Sequence, residues 1–514
     1  MPARLRAAAI LPVACLAAPP PAGPGVEGRV LDPAGRPLAG VRVYPDRPRH
    51  VTVLDPPPVA VTDAEGRFRL TVGPADRVLC LEKDGWQRDL VPQSEWGREL
   101  RLAPAPEYRV ERALVVRLRF AQAQPGLPDA ALRRLLFSRE PGVASVANYL
   151  YEVSKGSLRF EEGAWREMED PNHPEPSDAA KGEIADAVIL ALKGQPLGDL
   201  DRVDNRTGAL KPDGKPDHLW ILTPGLPQTM TGDAEDLKPA SLLRPLPWDP
   251  TERWGAVVTT ETAPLGNLVH EAFHEMGEER VDDLYLGCDD PLTAGIWELM
   301  DVGQYRGWDR KHDGPPWQED TGYSPSQPGA WVRRDLWYRG RFQATVGSLR
   351  LGKGERAWTG WIRPLERAPG PDLQKADPQQ VVVPDPGVPG AFWTFEVRRP
   401  WGFDGGEVGF RHGPGSEGLI VAHVDPDLIS VEDEPQGPER VIDAHPHSPE
   451  PPQPRFPCGR WELDDAAFNL GPGENPKGRE GRLAFEVLAT DASGRMEVRI
   501  TLSSPRPRKA RRPR

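Results

Sequence analysis

The sequence lacks the features of two large classes of protein. It has no apolar run close to the roughly 18 residues of a membrane-spanning helix, so no transmembrane segment is predicted. It also has no excess of positive charge, because 64 lysines and arginines stand against 77 aspartates and glutamates, for a net charge of −13. Nucleic-acid binding depends on neutralising phosphates with lysine and arginine, so this balance argues against a nucleic-acid partner.

Cysteine is scarce as well, with four residues in 514. Outside the first 24 residues, Cys80, Cys288 and Cys458 are odd in number and widely spaced, so no disulfide framework can be predicted. Proline and glycine are plentiful, at 61 and 52 residues, but fall short of the roughly 25–30% typical of disordered low-complexity chains. At ~150 residues per domain, the length predicts about three folded domains that are rich in turns.

Residues 1–24 have the layout of an export signal. Two arginines precede an apolar run from Ala7 to Ala18, and a proline-rich stretch follows. Cys15 lies within this run, and the segment resembles a bacterial lipoprotein signal, in which the cysteine carries the lipid anchor. An ordinary cleaved signal is the alternative. Either interpretation predicts a protein that is secreted or held at the cell envelope.

Residues 25–103 have the pattern of a small antiparallel β-sandwich. Short stretches of alternating apolar residues are separated by the turn signals Asp32–Gly35 and Asp63–Gly66. The segment resembles the carboxypeptidase regulatory-like domain, a β-sandwich that is appended to many secreted proteins. This resemblance implies a role in packing or presentation rather than in chemistry.

A linker at Ala103–Pro106 leads to a second predicted domain at residues 107–345. Helical and strand periodicities alternate within it, with predicted strands at Arg109–Phe120 and Asp217–Thr223 and predicted helices at Val143–Leu150 and Ser177–Lys193. Alternating strand patterns return in residues 346–502, which predicts a C-terminal β-rich domain. Residues 503–514 form a basic tail, which we interpret as solvated.

The segment Leu265–Tyr285 carries the residues with the clearest chemistry. Its apolar residues recur every three or four positions, which predicts an amphipathic helix that ends at Gly277. His270 and His274 lie one turn apart on roughly the opposite side of this helix. Glu271 stands beside the first histidine, so the arrangement is His-Glu-x-x-His.

This arrangement suits zinc-dependent hydrolysis. Two imidazoles one turn apart give two zinc ligands on a rigid support and leave room for a third protein ligand and a water. Zinc lowers the pKa of that water towards ~7, and a neighbouring carboxylate can take the proton. Glu271 fits the role of general base and not that of ligand, because it points around the helix from both histidines. The alternative is a helix with two surface histidines and a solvated glutamate.

The chain resembles the immune inhibitor A-type metallopeptidases, which are secreted zinc endopeptidases of metzincin-like fold. Matching stretches occur in order at residues 143–160 (VASVANYLYEVSKGSLRF), 216–225 (PDHLWILTPG), the predicted zinc helix, and Gly295–Tyr305 (GIWELMDVGQY). The last resembles the family's Met-containing turn, which implies that Met300 supports the zinc site from below. The likeness runs from about residue 114 to residue 502, and the zinc helix and the Met300 segment are its most specific parts.

One departure from the family pattern concerns the third zinc ligand. The family places an aspartate three residues after the helix-ending glycine, but here Glu278, Glu279 and Arg280 follow that glycine. The family's Asp-Leu-Tyr sequence occurs only from Asp283, three residues late. The motif match favours Asp283 as the third ligand, with Asp282 and Glu279 as alternatives. If all of these acids were solvated loop residues, zinc would bind weakly.

Other polar residues give weaker signals. Asp204, Asn205, Asp213 and Asp217 lie in a loop of the kind that can bind Ca²⁺ through oxygen atoms. Their spacing does not match an EF-hand, which favours a solvated turn over a calcium site. His423 lies in an apolar strand pattern, and we interpret it as a packed histidine rather than a ligand.

Together these features predict a multidomain α+β chain with an N-terminal β-sandwich, a metzincin-like α/β zinc peptidase domain and a C-terminal β-rich domain. The predicted function is that of a secreted or envelope-anchored zinc endopeptidase acting on a protein or peptide substrate. One alternative is a catalytically inactive, peptidase-like surface binding protein, which the displaced acidic segment and the appended sandwich suggest. The other is a zinc hydrolase that acts on non-peptide amides.

Overall fold

The structure is a computed structural model of the 514-residue chain. It describes residues 25–47, 49, 56–170, 172–205, 207–231, 233–277, 281, 283–284, 293–305, 325–337, 343–352, 355–369, 377–405, 417–428, 438–446, 463 and 465–503. Several predictions lie outside these residues. They concern the leader with Cys15, the tail from residue 504, Cys288 and Cys458, and the acidic alternatives Glu279 and Asp282.

The chain is multidomain and strand-rich, with 36% strand and 18% helix arranged around several sheets. The prediction of a multidomain, mixed α+β chain is therefore confirmed at this level. In the part of the chain that the structure describes, every helix is too short or too polar to cross a membrane.

Residues 25–101 form two sheets around one core. The strands are β1 (Gly25–Leu31), β2 (Arg42–Pro45), β3 (Ala60–Val61), β4 (Arg67–Thr71), β5 (Val78–Glu82), β6 (Asp89–Pro92) and β7 (Glu99–Arg101), in the orders β4-β1-β7 and β3-β2-β5-β6. Apolar side chains from both sheets, such as Val30 and Leu81, join one hydrophobic cluster. Both predicted turns are present, because the amide groups of Gly35 and Gly66 donate to the carbonyl oxygens of Asp32 and Asp63.

A five-stranded sheet follows, in the order β11-β12-β10-β8-β9. Its strands are β8 (Arg109–Arg119), β9 (Leu158–Glu169), β10 (His218–Thr223), β11 (Ala240–Leu246) and β12 (Asp249–Thr260). The edge strand β11 runs antiparallel to β12, whereas the other neighbouring pairs are parallel. The helices of this region are α1 (Asp129–Phe137), α2 (Val146–Val153), α3 (Lys181–Leu192), α4 (Gln228–Thr231) and α5 (Leu265–Gly277).

Helices cover both faces of this sheet. Val115 contributes to a hydrophobic cluster with residues of α1, α2 and α5, whereas its neighbours Leu114 and Val116 contribute to a cluster with α3. The alternation follows from the period of two residues in a strand. The apolar run Ala113–Val116 within β8 is therefore explained by burial on both faces.

The predicted elements of this region are present, but two helices begin later than predicted. α2 begins at Val146 because Ser145 caps it, with its hydroxyl oxygen accepting from the Asn148 amide at 3.1 Å. α3 begins at Lys181 rather than Ser177, since the Ser177 side chain accepts from the Ala180 amide in a turn before the helix. The bounds of α5 agree with the sequence pattern, and Gly277 is its last residue.

The C-terminal region is built of strands. They are β13 (Ser348–Arg350), β14 (Ala357–Ile362), β15 (Gln380–Pro384), β16 (Phe392–Arg398), β17 (Gly418–Val424), β18 (Glu439–Val441), β19 (Lys477–Glu480), β20 (Leu483–Thr490) and β21 (Met496–Leu502). They form two sheets in the orders β13-β15-β16-β17-β18 and β14-β21-β20-β19. Phe395 and Phe485, one from each sheet, belong to a shared hydrophobic cluster.

Buried ion pairs join the N-terminal sheets to the rest of the chain. Glu152 of α2 is fully buried and binds Arg49 at 2.6 Å and Arg88 at 2.8 Å. Separately, the guanidinium of Arg367 makes paired hydrogen bonds to the carboxylates of Asp89 and Glu95, both of which lie in the N-terminal region. Because a buried charge without a partner is costly, these contacts hold the regions together.

Candidate metal centre

α5 is fixed by the burial of its apolar face. Leu265, Leu268, Ala272 and Phe273 all lie in the hydrophobic cluster on one side of the five-stranded sheet. The start of the helix also lies very close to the Gly295–Tyr305 segment. A Cβ atom at Gly266 would be 1.7 Å from the carbonyl oxygen of Gln304, so a glycine is required at this contact.

The two histidines of α5 meet a single carboxylate. The Nε2 atoms of His270 and His274 lie 2.9 and 3.1 Å from Oδ1 of Asp283 and 3.1 Å from each other. One ligand atom from each of the three residues falls within 4.8 Å of the others. The structure thus brings the favoured third-ligand candidate, Asp283, against both histidines despite its late position in the sequence.

Backbone carbonyl groups orient both imidazoles. Nδ1 of His270 lies 3.2 Å from the carbonyl oxygen of Leu299, and Nδ1 of His274 lies 2.7 Å from that of Val281. A carbonyl oxygen can only accept, so each Nδ1 carries a proton and each Nε2 faces Asp283. This is how hydrogen bonds on the far nitrogen prepare neutral imidazoles as metal ligands.

Asp283 favours the charged form of His274, and both imidazoles favour the charged form of Asp283. Burial lowers the pKa of His274, but its hydrogen bond to Asp283 and the nearby Glu271 carboxylate outweigh this effect and raise the pKa to about 9. Burial also disfavours the charged form of Asp283, yet the two imidazoles hold its pKa well below the ordinary value. A divalent cation among these atoms would replace a proton on the imidazole.

Glu271 does not join this cluster. Its Oε2 accepts a hydrogen bond of 2.6 Å from the backbone amide of Ser241 in the edge strand β11. It is 7% exposed and faces the same cleft as the histidines. Among the described residues, the group that could hold a metal does not include Glu271.

The cleft above these residues has a volume of about 500 Å³. The two histidines, Glu271 and Asp283 line one side of it, and residues 240–243 of β11 line another. Among the described strands, β11 pairs only with β12, so its other edge can pair with a further strand.

Met300, the residue predicted to support the zinc site, packs with the apolar face of α5. It is fully buried in the same hydrophobic cluster as the apolar face of α5. Its carbonyl oxygen accepts from the amide of Leu284, the residue after Asp283. The neighbouring Leu299 supplies the carbonyl that orients His270. The segment therefore connects two of the three candidate ligands.

Sequence reasoning missed a buried charged group next to the site. His218, at the start of β10, has Nε2 at 2.9 Å from Glu111 and Nδ1 at 3.1 Å from Glu275 of α5. Burial opposes its protonation, but the two carboxylates raise its pKa to about 10. A histidine at the head of an otherwise apolar strand was the signal that could have revealed it.

The acidic loop considered for Ca²⁺ uses its carboxylates to close turns. Oδ1 of Asp217 accepts from the amides of Arg202 and Val203, and Asp204 contacts the Lys211 ammonium. These contacts favour a turn over a calcium site, but Asp204 and Asp217 are buried rather than solvated. Among the described residues, only His270, His274 and Asp283 form a group of three that is close enough to hold a metal.

His423 is partly buried, with Nε2 at 3.1 Å from Asp385 and its ring beside Trp393. The packed interpretation therefore describes its surroundings.

No protein-family model matches the chain, and no curated protein shows significant similarity to it.

Proposed function

We propose that this chain is an exported zinc-dependent endopeptidase with a metzincin-like catalytic domain of the immune inhibitor A type. The observation that carries the proposal is the convergence of His270, His274 and Asp283 in a cleft that Glu271 also faces. Two imidazole nitrogens and a carboxylate oxygen form a donor set that zinc prefers in catalytic sites. The export signal and the family resemblance support the same function from the sequence.

Each residue of the site has its own role in the proposed hydrolysis. When bound, zinc supplies polarisation of the scissile carbonyl and a water whose pKa falls towards ~7. Glu271 takes a proton from this water on a carboxylate oxygen and passes it to the departing amine. The amide of Ser241 holds Glu271 in place, and the carbonyls of Leu299 and Val281 hold the histidines.

The edge strand β11 gives a reason to expect a peptide substrate. An extended peptide can pair with an exposed strand edge through its backbone, largely independently of its sequence. A substrate paired with β11 would run past Glu271 and the two histidines, which line the same cleft. This favours an endopeptidase over a hydrolase of small amides, since a small amide would make no use of the strand.

The contact of Asp283 with both histidines also helps to decide between the enzyme and the alternative function, a catalytically inactive binding protein. That alternative rested on the displaced acidic segment, which left the third ligand in doubt. With Asp283 at 2.9 and 3.1 Å from the imidazoles, the late spacing is no obstacle to a complete ligand set. The contact therefore supports the enzyme.

The test is the replacement Glu271→Gln. Purified wild type should contain close to one zinc per chain and cleave an unfolded protein such as casein. Glu271→Gln should keep the zinc and lower kcat/KM by about 10²–10⁴-fold, the usual contribution of a general base. Glu183→Gln, an exposed glutamate on α3, is the matched control and should cleave normally. Undiminished cleavage by Glu271→Gln, or a wild type without metal, would contradict the proposal.

A further inference from the structure

Basic side chains lie at both ends of the cleft. Lys181 and Lys238 line one end, and Lys215 and Arg253 line the other, although the chain as a whole has a net charge of −13. The cleft as a whole is lined by four basic and four acidic residues, but a local excess of one sign of charge attracts ligands of the opposite sign. The four basic residues have no part in the proposed chemistry.

The strand β11 fixes where these groups lie relative to the catalytic residues. Ser241, whose amide binds Glu271, marks the catalytic position along the strand. Lys238 precedes Ser241 by three residues, and Arg253 pairs across the hairpin with Pro245, four residues after Ser241. At ~3.3 Å per residue, the two ends lie about 10 and 13 Å from that position.

Each end carries two cations close together. The ammonium of Lys181 contacts Asp178 at 2.8 Å, and the same carboxylate oxygen accepts from the Lys238 amide at 3.1 Å. The Lys238 side chain has no ion-pair partner in the described ranges. At the other end, Lys215 contacts Glu252, the residue before Arg253. That glutamate is 55% exposed, so the pair is easily exchanged for another carboxylate.

Each acidic residue of the cleft already has a partner or a proposed role. Glu271 and Asp283 belong to the candidate metal centre, and Glu275 is bound to His218. Asp217 is buried, with one oxygen bound to two backbone amides. In the described ion pairs, each end of the cleft has two cations and one partner carboxylate, that of Asp178 or that of Glu252.

We propose that the cleft selects peptides with acidic side chains three or four residues from the scissile bond, on both sides. The inference rests on the proposed peptidase function. A peptide paired with β11 has the same rise per residue as the strand, so side chains at that spacing reach the two basic ends. Exposed ion pairs of this kind contribute about 0.2–1 kcal/mol, so each acidic flank should raise kcat/KM by about 1.4- to 5-fold at low salt.

The experiment uses fluorogenic decapeptides that differ only in the residues three and four positions from the scissile bond. Glutamate, glutamine and lysine are placed on either flank, and kcat/KM is measured with the zinc-loaded full chain. Glutamate should be preferred over glutamine, and glutamine over lysine, on both flanks. The preference should fade at 1 M salt, where the screening length falls to about 3 Å.

Two charge reversals assign the flanks. Lys238→Glu should invert the preference on one flank only, and Arg253→Glu on the other flank only. Lys477→Glu, an exposed lysine in the C-terminal sheets, is the control and should leave both preferences intact. Equal cleavage of all peptides by wild type would overturn the charge selection but leave the peptidase function standing. Cleavage of none would overturn both.

Discussion

The replacement Glu152→Gln tests whether the buried contact between the N-terminal sheets and α2 stabilises the whole chain. Oε2 of Glu152 accepts from Arg49 and Arg88, and Oε1 accepts from the Gln327 side chain at 3.0 Å and the Phe403 amide at 2.8 Å. A glutamine has one oxygen and one NH₂ group. Either orientation of its amide turns that NH₂ towards two donors. The change also removes the charge that Glu152 shares with both arginines, which keep only Asp46 at 3.1 Å from Arg49 and Glu82 at 3.7 Å from Arg88.

The expected loss of unfolding free energy is about 3–5 kcal/mol, the usual cost of removing one partner from a buried ion pair. Urea unfolding should be followed by tryptophan fluorescence and by limited proteolysis, because a multidomain chain need not unfold in one step. Glu140→Gln is the control, since Glu140 is 65% exposed and binds only Arg134 among the described ion pairs. A loss below about 1 kcal/mol for Glu152→Gln, or one equal to the control, would refute the reasoning.

Two further predictions follow from the charged histidines. The pKa of His218 is raised from 6.5 to about 10, so its stabilising effect is complete below about pH 6.5 and is lost as the pH rises through about 10. In His218→Gln, the unfolding free energy measured with urea should fall less between pH 6 and 10 than in the wild type. His423→Gln is the control. An unchanged pH dependence in His218→Gln would show that the ion pairs of His218 contribute nothing to stability. Zinc uptake at pH 7 should release about one proton, because the metal displaces the proton held by His274, whose pKa is about 9. Calorimetry in buffers of different ionisation enthalpy measures this release, and zinc binding with no proton release would be inconsistent with the described site.

Local patterns predicted α5 and its histidines well. The apolar spacing and the glycine at position 277 were sufficient to predict the helix, and the bounds in the structure are the same. The starts of α2 and α3 were predicted three and four residues too early. A serine hydroxyl can cap a helix or close the turn before it, and the sequence pattern does not distinguish between these roles.

The parts of the site that depend on distant residues could not be predicted. His218 meets Glu275 and Glu111 across separations of 57 and 107 residues, which only the pairing of β8 with β10 and the packing of α5 bring together. The basic ends of the cleft have the same origin, since they come from α3, the loops before β10 and β11, and β12. Asp283 was found only because a short motif marked it, not because its spacing matched.

The two groups of buried ion pairs around Glu152 and Arg367 bear on how the N-terminal sheets can act. A unit held by guanidinium contacts in two places does not swing on its linker, so any molecule it bound would be presented in one fixed direction relative to the cleft. For the same reason, a chimaera in which another β-sandwich replaced this unit would have to keep the charged residues of the unit that contact Glu152 and Arg367.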